Sequence, residues 1–172
     1  MRELWRRRLA ECASLVQCLI RHWPITGAVL LIYALAQHWL MVNWTPSLTY
    51  RLVWIEYGRL PGRGDLMVYR FAGKPLPRYG YVAGVRFFKR VGGIAGEAIR
   101  VDGRNVFVGD RPIGTAKPTT HDGQRLDPIA AGTIPAGYYF AQSDSLDSFD
   151  SRYAQSGLVA AEAIVGVAHV IF

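Results

Sequence analysis

The fold class predicted by this sequence is a mostly β domain carried behind one transmembrane helix. Three observations point to it. Residues 25–42 are almost entirely apolar, the apolar runs after residue 43 are short, and Gly and Pro recur every few residues from there onward.

The segment 25–42 reads ITGAVLLIYALAQHWLMV, with only Gln37 and His38 strongly polar. As a helix, 18 such residues would extend roughly 27 Å, close to the ~30 Å hydrocarbon thickness of a bilayer. Trp23 and Trp44 flank it, as interfacial aromatics do. Before it, Arg2, Arg6, Arg7, Arg8 and Arg21 stand against Glu3 and Glu11, an excess of positive charge. The arginines predict a basic cytoplasmic segment over residues 1–24, a transmembrane helix over 25–42 and an extracytoplasmic domain over 43–172. A leader cleaved at Ala34-Leu35-Ala36 is the weaker alternative, because Ala36 lies inside the apolar run rather than beyond it. The earlier run 9–20 fits a surface helix or an extension of the anchor equally well.

Beyond residue 43 the strand candidates are 66–71, 84–88, 98–101, 105–108, 137–141 and 164–172. Asp102-Gly103 between the third and fourth is a hairpin signal. No long segment of helical period follows the anchor, so a barrel-like β arrangement is expected. Residues 112–129, rich in Thr, Asp, Gly and Pro, read as a loop or small excursion. Gly92, Gly93 and Gly96 mark a bulge or tight turn.

Composition excludes several function classes. The formal charge is +7, yet no basic stripe with interleaved aromatics appears, which argues against a nucleic-acid partner. The two cysteines, Cys12 and Cys18, both precede the anchor. They form neither a disulfide framework nor a CxxC metal site, and no metal or cofactor is called for.

Three segments carry the chemistry: Asn43-Trp44-Thr45-Pro46-Ser47-Leu48, the run from Phe88-Lys89-Arg90 through Gly96-Glu97, and Ser148-Phe149-Asp150-Ser151-Arg152-Tyr153. A serine hydroxyl needs an adjacent base to become a nucleophile. The four histidines serve poorly. His22 and His38 lie before or within the anchor, His169 reads as a packed core residue of the last strand, and His121 falls in the excursion. A lysine remains, and burial can lower its pKa toward neutrality. Lys89 follows Val85, Phe87 and Phe88, and it is one of three lysines against seventeen arginines. Arginine cannot be deprotonated in this role. Taken alone, Lys89 would read as a surface or snorkelling lysine, and Ser47 as an ordinary turn serine.

Together, in this order and spacing, the segments resemble signal peptidase I, the Ser/Lys peptidases of bacterial membranes. SFDSRY and the NWTPSL start look most like the TraF-type conjugative-transfer branch. The resemblance implies a signal-peptidase-like β catalytic domain. It matches Ser47 to the nucleophile, Lys89 to the base and Ser148 to the hydroxyl that orients the lysine. Thr45 matches the side-chain donor of the oxyanion hole, and Asp150 and Arg152 a structural ion pair, with Ser151 in the same supporting group. The implied partners are the lipid bilayer, a membrane-associated precursor protein as substrate, and a conjugation or secretion apparatus. A pilin-like subunit is the first choice of substrate and general preproteins the second. The sequence departs from the family at three places. Thr49 and Tyr50 stand where a proline is usual, Ala95 and Glu97 replace Pro and Asp, and Gln142-Ser143 replaces Gly-Asp. A catalytically inactive membrane-tethered β scaffold is the rival of another class. A self-cleaving repressor would need a DNA-binding helix-turn-helix, where this chain has an apolar anchor.

Overall fold

The structure is a computed structural model, and it describes residue 5, residues 16–17, residues 20–45 and residues 47–172. The arginine cluster of residues 2–8, both cysteines and Pro46 lie outside the described residues. The chain divides into two units, one ending at Trp39 and one running from Leu40 to Phe172.

The first unit contains helix α1, Trp23–Trp39, of 17 residues. Ile25, Val29, Leu30, Leu31, Ile32 and Leu35 are all exposed along it. The expected span 25–42 is therefore corrected at its end. Residues Leu40–Val42 are strand β1, paired antiparallel with β2, Leu52–Tyr57. Among the described residues no helix is long and apolar enough to cross a membrane.

The second unit is built from two antiparallel sheets. The remaining strands are β3 (Leu66–Arg70), β4 (Arg86–Gly93), β5 (Ala98–Asp102), β6 (Asn105–Val108), β7 (Arg111–Thr115), β8 (Gly132–Thr133), β9 (Tyr138–Gln142), β10 (Val159–Ala160) and β11 (Ile164–Val170). The larger sheet runs β1-β2-β11-β3-β4-β9-β10, and the smaller β7-β6-β5-β8. The domain is mostly β as expected, and β1 and β10 stand at the two ends of the larger sheet. The Asp102-Gly103 hairpin joins β5 to β6 as expected, with Gly103 at φ +59°. Five strands went unread. β1, β8 and β10 are only two or three residues long, β2, LVWIEY, has the β-branched and aromatic content of a strand, and β7 occupies the start of the expected excursion.

Side chains alternate across a strand, so a central strand needs apolar cover on both faces. β3 and β4 have it. Met67, Tyr69, Phe87, Val91 and Ala141 belong to one buried cluster. Leu66, Val68, Phe88 and Ala168 join Leu48, Val53 and Ile55 in another. A third, with Ile99, Val106, Val108, Ile134 and Phe140, forms the core of the smaller sheet.

β4 continues to Gly93, past the residue 88 expected from the sequence. Its pairing with β9 shifts between Val91 and Gly93, which places the expected bulge inside the strand. A side chain at Gly92 would strike Gln142, and one at Gly93 would strike Ile134 and Val108. At Gly166, between β2 and β3, a Cβ would overlap the Glu56 carbonyl. Backbone cannot yield there without breaking the ladder. Gly166→Ala is thus expected to lower stability by about 1–3 kcal/mol, which chemical denaturation of the detergent-solubilised protein measures.

Candidate active site

Three chain segments of the second unit converge on a cavity of about 410 Å³. The loop after β1 brings Asn43, Thr45 and Ser47, β4 brings Lys89, and the loop after β9 brings Ser145, Asp147 and Ser148. Val85, Phe87 and Phe88 supply apolar wall. Of the residues singled out from the sequence, Thr45, Ser47, Lys89 and Ser148 line this cavity. Asp150, Ser151 and Arg152 do not line it and stand behind it.

Lys89 sits opposite Met67 in the β3–β4 ladder and shares a face with Phe87 and Val91. Strand alternation thus sends its amine into the aromatic core. It is 5% exposed, with Nζ 5.9 Å from the Phe87 ring centroid. Burial pushes its pKa down from the ordinary lysine value to about 8. The charges of Asp150 and Asp144 pull it up and that of Arg152 pulls it down, all more weakly than burial. Nζ donates to Ser148 Oγ at 2.6 Å.

The loop carrying Ser47 is shaped by Asn43, which the sequence reading left without a role. Asn43 is buried, and Nδ2 donates to the carbonyls of Leu48 and Tyr50. Its Oδ1 accepts from the Thr45 amide and from Thr45 Oγ1, the latter at 2.9 Å. A carboxamide oxygen cannot donate, so the single hydroxyl hydrogen of Thr45 is committed to Asn43. Ser47 Oγ, 2.8 Å from Thr45 Oγ1, is therefore the donor of that pair. Among the described residues no hydrogen bond joins Ser47 Oγ to Lys89 Nζ. The two groups face one cavity, each held by its own partner. Such bonds are often unmade before substrate arrives.

Behind the cavity, Asp150 and Arg152 form an ion pair at 0% and 1% side-chain exposure, Nε to Oδ1 2.8 Å. Arg152 Nη2 also donates to the carbonyls of Ser145 and Ser148, each at 3.0 Å. Asp150 accepts from the backbone amides of Ser143 and Arg152. Ser151 Oγ accepts from the Ala141 amide and donates to the Gly157 carbonyl, which fastens the loop to β9.

Within the second unit, His121 and His169 take no part in this arrangement. His169 is not the packed core residue expected from the sequence. It is half-exposed, bonded to Glu56 at 2.9 Å and packed on Trp54 at 5.0 Å between ring centroids. His121 is exposed and lines a neighbouring cavity with Leu126 and Tyr153, one that meets the first at Tyr79, Tyr81, Asp147 and Ser148. Its neighbour Asp122 is bonded to Tyr79, Thr120 and Arg78. Among the described residues no His/Cys/Asp/Glu group could hold a metal ion.

A family model described as signal peptidase, peptidase S26, matches residues 15–172. The chain belongs to this family. Among its relatives, the signal peptidase I of Pseudomonas aeruginosa is 32% identical over 120 residues, covering 54% of this chain and 39% of that one. The chain thus spans about two fifths of that relative's length. The conjugal transfer protein TraF of Agrobacterium fabrum is 29% identical over 147 residues, covering 76% of this chain and 81% of the relative. Among solved structures, a signal peptidase I from Enterococcus faecalis matches with a TM-score of 0.36 at 22% identity, over 63% of this chain and 97% of that one.

For this signal peptidase family member, the buried ion pair generates a stability prediction. Removing one partner leaves the other charge buried and uncompensated, a loss of about 3–5 kcal/mol. Arg152→Met is expected to lower the unfolding free energy by that amount. An unchanged denaturation midpoint would mean that Asp150 finds another cation or takes a proton at no loss.

Proposed function

We propose that the chain is a membrane-anchored serine endopeptidase that cleaves exported precursor proteins, with Ser47 as nucleophile and Lys89 as general base. The observation that carries this reading is the buried Lys89 amine, lowered to about 8 and opening on the same cavity as Ser47. Membership of the signal peptidase family supports the reaction class.

In the reaction, neutral Lys89 accepts the Ser47 proton as Oγ attacks the scissile carbonyl. The Ser47 amide stabilises the oxyanion. Thr45 joins it once its hydroxyl turns from Asn43, and Ser47 Oγ turns from Thr45 to face Lys89. Lys89 then returns the proton to the leaving amine. Water or another amine releases the acyl group. Ser148 keeps the amine in place throughout. The apolar Val85, Phe87 and Phe88 keep water away from it and so preserve its low pKa.

Placement at a bacterial inner membrane, with the N-terminus cytoplasmic and the catalytic domain periplasmic, is part of the same proposal. The arginines ahead of residue 25 and the exposed apolar length of α1 support it. At about 26 Å, α1 falls a few ångströms short of the hydrocarbon core, a mismatch that bilayers accommodate by thinning. For the substrate, likeness to a conjugal transfer protein favours a pilin-like subunit of a conjugation apparatus. General preprotein processing is the second reading, favoured by likeness to a signal peptidase I.

Ser47→Ala and Lys89→Ala are each expected to lower kcat by several orders of magnitude in detergent-solubilised protein given a candidate precursor. Lys89→Arg is expected to be equally inactive, because it keeps the charge and cannot accept the proton. Mass spectrometry of the precursor reads the outcome, and near wild-type cleavage by Ser47→Ala would refute the mechanism.

The pH dependence has a definite sign. The active form of Lys89 is the neutral one, so kcat/KM should rise with pH through about 8 and level off above it. A rise centred near 6.5, retained in Lys89→Ala, would assign the base to a histidine instead.

Topology is tested by labelling. Cys12 and Cys18 are expected to resist an impermeant maleimide in spheroplasts, while a cysteine introduced at Thr119 reacts. The reverse pattern would place the domain in the cytoplasm.

A further inference from the structure

We infer that Ser143 is a positioning residue for the proposed reaction, its hydroxyl fixing the oxygen of Ser148 that holds the Lys89 amine. The inference rests on the Ser47/Lys89 reading and adds a residue to it.

Ser143 is the first residue after β9 and is 5% exposed. It does not line the cavity, so it has no route to a substrate except through a neighbour. Its backbone amide donates to Asp150 Oδ2 at 2.9 Å, which ties its main chain to the buried ion pair. Its side chain is then aimed by that anchored backbone. Oγ donates to Ser148 Oγ at 2.7 Å, and Lys89 Nζ donates to the same oxygen at 2.6 Å. A hydroxyl oxygen has two lone pairs, and both are thereby used.

The physical effect follows from rotors. A serine side chain has three staggered wells, and an unconstrained hydroxyl samples them. Lys89 has a flexible four-carbon stem, and Ser148 is the one described hydrogen-bond partner of its amine. If only the amine held Ser148, the two groups could drift together. The second donor, carried by anchored backbone, pins the Ser148 oxygen in one well. Lys89 then has a fixed acceptor, and its remaining directions stay available for the Ser47 proton.

Because Ser143 acts through Ser148, its loss should lower turnover without altering substrate binding, and only while Ser148 is present. The test is a double-mutant cycle on full-length, detergent-solubilised protein. Wild type, Ser143→Ala, Ser148→Ala and the double variant are assayed on a fluorogenic peptide with small residues before the cut. Ser143→Ala is expected to reduce kcat about five- to tenfold, roughly one hydrogen bond in transition-state terms. KM should stay unchanged, and the melting temperature should fall by no more than the loss of one buried hydrogen bond entails. In the Ser148→Ala background the same change should do nothing further.

Additive effects of the two substitutions, a change confined to KM, or no change in Ser143→Ala would each overturn the inference. If Ser148→Ala itself keeps the wild-type rate, the lysine-orienting role of Ser148 fails. If the wild type cleaves nothing, the peptidase reading fails. In either case the inference fails with it. Loss in Ser148→Ala with full activity in Ser143→Ala removes the Ser143 role alone.

Discussion

Arg152 carries a full positive charge at 1% exposure, and the arrangement of residues 143–152 beside the candidate site follows from the need to satisfy it. A guanidinium taken out of water is tolerable only with a paired anion and acceptors for its N–H groups. Asp150 supplies the anion, and the carbonyls of Ser145 and Ser148 supply acceptors. Meeting that demand fixes the backbone of residues 143–152 and presents the Ser148 hydroxyl at one place. It also shapes the neighbouring strand. Gly114 in β7 sits at φ +142°, and a Cβ there would press on Arg152 Nη1 at 3.1 Å. The smaller sheet and the loop of residues 143–152 therefore meet at a position where any side chain would be strained.

The same pair leaves burial in control of Lys89. Asp150 favours its charged form and Arg152 opposes it, so much of their influence cancels. What remains is the aromatic wall of β4 and its neighbours, which withdraws hydration from the ammonium. On the other side of the cavity, Asn43 organises the Ser47 loop and holds the Thr45 hydrogen. Ser47 and Lys89 thus each rest in a separate hydrogen-bonded set, with no bond between them. A substrate carbonyl entering the cavity would compete for the Thr45 hydrogen and so couple the two sets.

Much of this was legible in the sequence, for identifiable reasons. Lys89 stood out because lysine is scarce in this chain and follows two phenylalanines. The three blocks bearing Ser47, Lys89 and Ser148 do meet at one cavity. Strands β3, β5 and β6 were visible from their apolar content and the Asp-Gly turn. Other features were hidden. β1 was absorbed into the apolar run of the helix, because leucine, methionine and valine carry no period over three residues. β7 opens beside Pro112 and contains Gly114, both of which signal a loop. Asn43 and Ser143 act through single hydrogen bonds, and a lone Asn or Ser beside a strand carries no sequence mark to separate it from any turn residue. His169 looked buried because its strand is apolar, yet its pairing with Trp54 near the strand end leaves it half-exposed.

The central claim is that Lys89 is neutral in a substantial fraction of molecules near physiological pH, and its titration can be read directly. The chain has only three lysines, Lys74, Lys89 and Lys117. The side-chain amine signals of ¹⁵N-lysine-labelled protein can therefore be assigned by single substitutions in the Ser47→Ala background. The account predicts a Lys89 midpoint of about 8. A midpoint near the ordinary lysine value of about 10.4 would contradict it.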